Sequence, residues 1–178
     1  ISETTINVES DPRIEVSQKN TNDVYAAAKQ LEKMQEISAD AVKQLVESKT
    51  IAEKYKTDLT KLDKEAYKNQ IKASKDIVKA IDSLIDKYLG KVDKRQGITR
   101  NPEVTPLQRL GLAKNYIFNS QTGLTSTETT LIKHAKDALG KLLGKTNTFF
   151  NNGWKEYQNS MTQVQMNPFK ETKTFGID

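Results

Sequence analysis

Tyr67, Ile71, Ser74, Val78, Ile81, Ile85 and Tyr88 follow one another at alternating intervals of four and three residues. That alternation is the seam of an α-helix lying nearly parallel or antiparallel to its neighbours. A strand has a side-chain period of two and does not present it. Lysine and aspartate occupy the intervening positions, as the wet side of a bundle member requires. The spacing predicts a helix opened by Asp63 and ended by Gly90.

The same logic places the other helices. Ser17 is a plausible N-cap, and Val24, Ala28, Leu31, Met34, Ala41, Val42, Leu45, Ala52, Tyr55 and Leu59 recur three or four residues apart behind it. No Gly or Pro interrupts Ser17 to Thr57. One helix of about 60 Å is therefore expected, with a break near Ser38 to Asp40 as the alternative, since Asp40 offers a second cap. Thr105, Pro106 and Gln108 form a capping-box start, predicting a short helix to about Asn119. Thr125 with Glu128 repeats the box. The stripe Leu131, Ala135, Leu139, Leu142, Thr146 and Phe150 follows, continued by Trp154, Tyr157, Met161 and Val164. Asn151-Asn152-Gly153 is a helix-ending sequence, which predicts a kink or break there. Gly140 and Gly144 read as a place of close helix packing.

Outside these stretches, residues 1–10 alternate weakly until Asp11-Pro12 and read as a short strand or linker. Residues 91–105 are the only long irregular connection, and residues 165–178 read as an extended tail pressed on the bundle. The expected fold is all-α: an antiparallel bundle of about four helices, with a strand or linker over 1–16 and the bundle over 17–178.

Composition narrows function mainly by exclusion. There is no cysteine, hence no disulfide and no thiol chemistry. No run approaches the roughly 20 apolar residues of a membrane span. The net charge of +5 is mild, and only four of the 28 basic residues are arginines (Arg13, Arg95, Arg100 and Arg109). Nucleic-acid recognition favours dense, arginine-rich patches, so a nucleic-acid partner is not expected. The chain opens at Ile1 without a basic-then-apolar leader and reads as a processed product or a piece of something longer.

No catalytic constellation stands out. His134 is the sole histidine and has no partners at a spacing that acid–base chemistry needs. No cluster has metal-ligand spacing, no glycine-rich phosphate loop is present, and no cofactor is expected. A carboxylate pair brought together from different helices remains the enzymatic alternative, and it requires an Asp or Glu with a raised pKa in a cleft. Two features suit contact with a protein partner or a second copy: the basic side chains Lys91, Lys94, Arg95 and Arg100 in the long connection, and the aromatic group Phe149, Phe150, Trp154 and Tyr157. The aromatic group also suits the thick end of the core, and the exposure of Trp154 separates the two readings.

The junction Asp11-Pro12-Arg13-Ile14-Glu15-Val16-Ser17, followed by a long helix, resembles the C-terminal region of large exported bacterial proteins. Those proteins carry sortilin-like propellers of Asp-box (BNR) repeats and are often labelled glycosyl hydrolases. The resemblance extends over Asn101-Pro102 and the helix opening at Thr125. It implies a non-catalytic helical module at the end of an exported multidomain protein, stabilising its parent or docking a partner, with an upstream propeller as the nearest one. The Asp-box pattern Ser-x-Asp-x-Gly-x-Thr-Trp occurs nowhere in the chain. Any glycan-hydrolysing groups would therefore belong to the propeller, and no catalytic residue carries over.

Overall fold

The computed structural model describes residues 3–7, 11, 13, 16–91, 104–120, 122–162 and 164. They form α1 (Gln18–Leu62), α2 (Lys68–Leu89), α3 (Pro106–Asn119), α4 (Ser126–Phe149), a π-helical turn (Phe150–Trp154) and α5 (Lys155–Thr162). The chain is an all-α helical bundle, and no strand occurs among the described residues. Residues 3–7 have no regular structure, and Ile6 is 79% exposed.

α1 is one unbroken helix of 45 residues, about 68 Å long at 1.5 Å per residue. Ser17 caps it by accepting from the Asn20 N–H at 3.1 Å. Its buried residues Ala27, Leu31, Met34, Ser38, Leu45, Ser48, Ala52 and Leu59 keep the four–three seam from end to end, with Ala41 and Tyr55 partly buried in the same phase. The expected alternative break does not occur. Ser38 donates to the Met34 carbonyl at 2.7 Å, so its hydroxyl is satisfied inside the helix and sits in the seam without cost to the neighbours.

Asp63 closes α1 instead of opening α2. It adopts extended geometry, and its carboxylate accepts from the N–H groups of Glu65 and Ala66 at 3.0 and 2.9 Å. An aspartate that caps a turn carries the same local signal as one that caps a helix start. α2 therefore begins after Tyr67 and, as expected, ends at Gly90 with φ of 87°.

α2 and α3 run in series down one side of α1. Asn20 at the start of α1 donates to the Thr122 carbonyl beyond the end of α3, at 3.0 Å, and Lys49 farther along reaches Asp82 of α2 at 2.7 Å. A Cβ on Gly90 would stand 3.5 Å from the Thr105 side chain, so the end of α2 meets the start of α3 and the connection leaves and returns at one point. Gly123, with φ of 107°, turns the chain into α4 against α1. A Cβ there would approach Asn20 to 2.9 Å, and only glycine suits both demands.

The third column is α4, the π turn and α5. The expected kink at Asn151-Asn152-Gly153 is instead a π turn through which the helix continues. Up to Phe149 the seam repeats every seven residues: Ala135, Leu142, Phe149 on one line and Leu139, Thr146 on the other. The next seam position would be Gly153, yet Trp154 is buried, and Tyr157, Met161 and Val164 follow in the new phase. The chain holds one residue more than a regular seam, and the wider π turn absorbs it.

Gly140 and Gly144 do not mark close packing. Both are exposed, and a Cβ on either would meet nothing within 4 Å. Each Gly→Ala substitution should stabilise the fold by about 0.5–1 kcal/mol, read as a higher midpoint in urea. The π turn makes a sharper prediction. Deleting Asn152 should convert the turn to α-helix, keep Trp154 and Tyr157 on the seam, and change stability by no more than about 1 kcal/mol. Deleting Gly140 should rotate the stretch up to the π turn by about 100° and take Leu142, Thr146 and Phe149 off the seam, while Trp154, Tyr157 and Met161 return to it once the turn becomes α-helix. At about 1.5–3 kcal/mol for each large apolar side chain, displacing Leu142 and Phe149 takes about 3–6 kcal/mol from a typical stability of about 5–15 kcal/mol. Circular dichroism melts of the two deletions check this.

Candidate functional site

The aromatic group lies where the third column meets α2. Phe149 and Phe150 meet edge to face with centroids 5.2 Å apart, Phe150 and Trp154 likewise at 6.4 Å, and Trp154 and Tyr157 lie 5.3 Å apart. These are the geometries aromatic quadrupoles favour. Trp154 is 9% exposed and Tyr157 5%, with Phe149 and Phe150 partly buried. Trp154 and Tyr157 thus belong to the core, and the group serves packing rather than an open docking surface.

Two tyrosine hydroxyls fix the columns against each other. Thr146 donates to the Leu142 carbonyl at 3.1 Å, leaving its oxygen to accept from Tyr88 at 3.0 Å. Ser74 donates to the Gln70 carbonyl at 2.9 Å and accepts from Tyr157 at 3.1 Å. Burial raises the pKa of both tyrosines. Every buried side-chain nitrogen or oxygen among the described residues has a hydrogen-bond partner.

The described carboxylates are engaged in caps and ion pairs or face solvent. The only buried one, Glu128, accepts from the Thr125 hydroxyl and from its N–H at 2.9 Å, and those hydrogen bonds lower its pKa, the hydroxyl contributing most. The Arg13 guanidinium and N–H lower the pKa of Asp11, and Lys29 lowers that of Glu32. Lys49 is raised, chiefly by its hydrogen bond to Asp82. All three of these shifted carboxylates, Asp11, Glu32 and Glu128, are lowered, opposite to the raised value that the carboxylate-pair alternative requires. His134 is exposed beside Ser126, Thr127, Thr130 and Leu131 in a shallow open depression on α4. No group of three metal-ligating side chains converges among the described residues.

Of the basic residues in the long connection, Lys91 is exposed. Lys94, Arg95 and Arg100 lie outside the described residues.

A surface that the sequence pattern did not single out lies on α3. Leu110, Ala113 and Ile117 are buried, while Gln108, Gly111, Leu112, Asn115, Tyr116, Phe118 and Asn119 are exposed. Helical geometry puts these seven on one broad outer face, and none of them is charged. Leu112 and Tyr116 are each 47% exposed and Phe118 is 67% exposed. Arg109 flanks the face beside Tyr116, and Lys114 flanks the other edge with its Nζ 5.7 Å from the Phe118 ring centroid. The signal in the sequence is the absence of any Asp or Glu from Val104 through Thr127.

No family model, no curated protein and no solved structure matches the chain.

The tyrosine pair makes the bundle sensitive to alkali. Tyr88 and Tyr157 keep their protons in the folded state to a higher pH than in the unfolded chain, where the ordinary value is about 10. Above that pH the folded state binds more protons, so stability falls as pH rises and is fully present below it. Tyr88→Phe and Tyr157→Phe should flatten the fall seen in urea midpoints between about pH 9 and 11. Thr146→Val leaves the Tyr88 hydroxyl buried without its acceptor and should cost about 1–3 kcal/mol at neutral pH.

Proposed function

We propose that this chain is a non-catalytic helical module that docks a protein partner. The observation that carries the reading is the outer face of α3. A helix on a bundle surface ordinarily covers its outer side with charge, as α2 does with Lys68, Lys72, Lys75, Asp76, Lys79 and Lys87. α3 instead exposes three large apolar side chains among neutral ones. Depletion of charge with enrichment of Tyr and Phe is the composition of an interface centre. The polar groups of the interior are used in holding helices together, which supports a structural rather than a chemical role.

The junction resemblance extends the proposal: the module would belong to an exported multidomain protein with an Asp-box propeller. At that junction Arg13 clasps the Asp11 carboxylate through its N–H at 2.9 Å and its guanidinium at 3.0 and 2.7 Å.

The test is turnover by the purified chain on panels of glycosides and peptides. The proposal expects rates indistinguishable from buffer. Turnover abolished by one Asp or Glu substitution that leaves the fold intact would overturn it.

A further inference from the structure

We infer that the outer face of α3 receives an amphipathic helix of a partner protein whose apolar seam is bordered by carboxylates; this rests on the docking reading above. Leu112 and Tyr116, one turn apart, stand on the Arg109 side of the face, Phe118 stands on the Lys114 side, and the neutral Gln108, Asn115 and Asn119 run between them. A Cβ on Gly111 would meet nothing within 4 Å, so the surface is low beside Asn115 and Phe118, its neighbours one and two turns on, and admits a side chain from outside. An incoming helix meets such a surface through apolar residues three and four apart.

The edges choose the charge of the partner. Arg109 and Lys114 stand on opposite flanks, and neither makes an ion pair with a described residue. Glu32 of α1, whose carboxylate feels the charge of Lys114, is engaged with Lys29 at 2.7 Å. With a cation on each edge and no carboxylate on α3 itself, a second copy laid face to face would set cation against cation. Like charges across an interface reject a partner, and complementary ones select it. A helix bearing Glu or Asp on both borders of its seam meets Leu112, Tyr116 and Phe118 and both cations together.

The experiment titrates isotope-labelled full chain with two synthetic helical peptides that share a Leu/Phe seam, one bordered by Glu and the other by Lys. Amide shift changes should concentrate on Gln108 to Asn119, with the Glu-bordered peptide binding at least tenfold more tightly. Leu112→Gln with Tyr116→Gln should weaken binding by about tenfold or more. Arg109→Glu with Lys114→Glu should reverse the preference; all four sites are at least partly exposed, and an unchanged far-UV spectrum confirms the fold. Equal affinity for the two peptides, or indifference to the variants, would overturn the inference. So would binding of phosphatidylserine vesicles through these residues, or self-association lost in the Leu112/Tyr116 variant. Shifts confined to another face would remove α3 as the site and with it the observation that carries the docking reading, whereas equal affinities with shifts on α3 would overturn only the charge preference. Substrate turnover, by contrast, would strike that reading and not the peptide preference.

Discussion

The four–three seam of α1 is the constraint on which the rest of the molecule is laid out. Only a continuous helix is long enough to carry α2 and α3 one after the other, and continuity follows from chemistry spread over the whole segment. No glycine or proline interrupts it, Ser38 satisfies its hydroxyl within the helix, and apolar or small residues hold the inward line from Ala27 to Leu59. The bundle is consequently long and three columns wide, with the second column built from two helices whose ends meet at Gly90 and Thr105. Polar contacts add the register: the Lys49–Asp82 ion pair sets α2, and the hydrogen bond from the Asn20 amide to the Thr122 carbonyl sets the end of α3.

The third column shows how a bundle tolerates a flaw in its period. Packing demands that Trp154, Tyr157 and Met161 face α2, and the chain has one residue too many for a regular α-helix to deliver them. A π turn is less favourable locally than α-helix, but losing several buried aromatic contacts is far more costly. The tertiary interaction therefore wins over the local one. The hydroxyl bridges of Tyr88 and Tyr157 then hold this column at one height, since sliding it would bury hydroxyls without acceptors.

Much of this was legible in the sequence because it is local. Ser17, the Thr105/Gln108 and Thr125/Glu128 boxes, and Gly90 act on backbone groups within a few residues, and their spacing is visible in one dimension. Asp63 was read at the wrong end of its turn because a capping carboxylate looks alike on either side. Asn151-Asn152-Gly153 suggests a kink or break because its local preference is to end a helix, and only the core behind it overrides that. Gly140 and Gly144 suggested close contact from their spacing, yet spacing alone does not say which side of a helix faces out. The candidate surface on α3 was missed for the same reason: its mark is a missing charge on one face, and that face exists only once Leu110, Ala113 and Ile117 are known to be buried.

Continuity of α1 through Ser38 to Asp40 is the most direct point to measure. The chain has no native cysteine, so spin labels at Gln30→Cys and Lys61→Cys, both exposed, report a single distance by pulsed electron resonance. An unbroken helix places the two backbone sites about 46 Å apart at 1.5 Å per residue, and a narrow distribution near that value is the predicted result. A helix that broke at Ser38 to Asp40 and doubled back would bring them to roughly 20–25 Å by the same rise; a distribution centred there would contradict the three-column bundle.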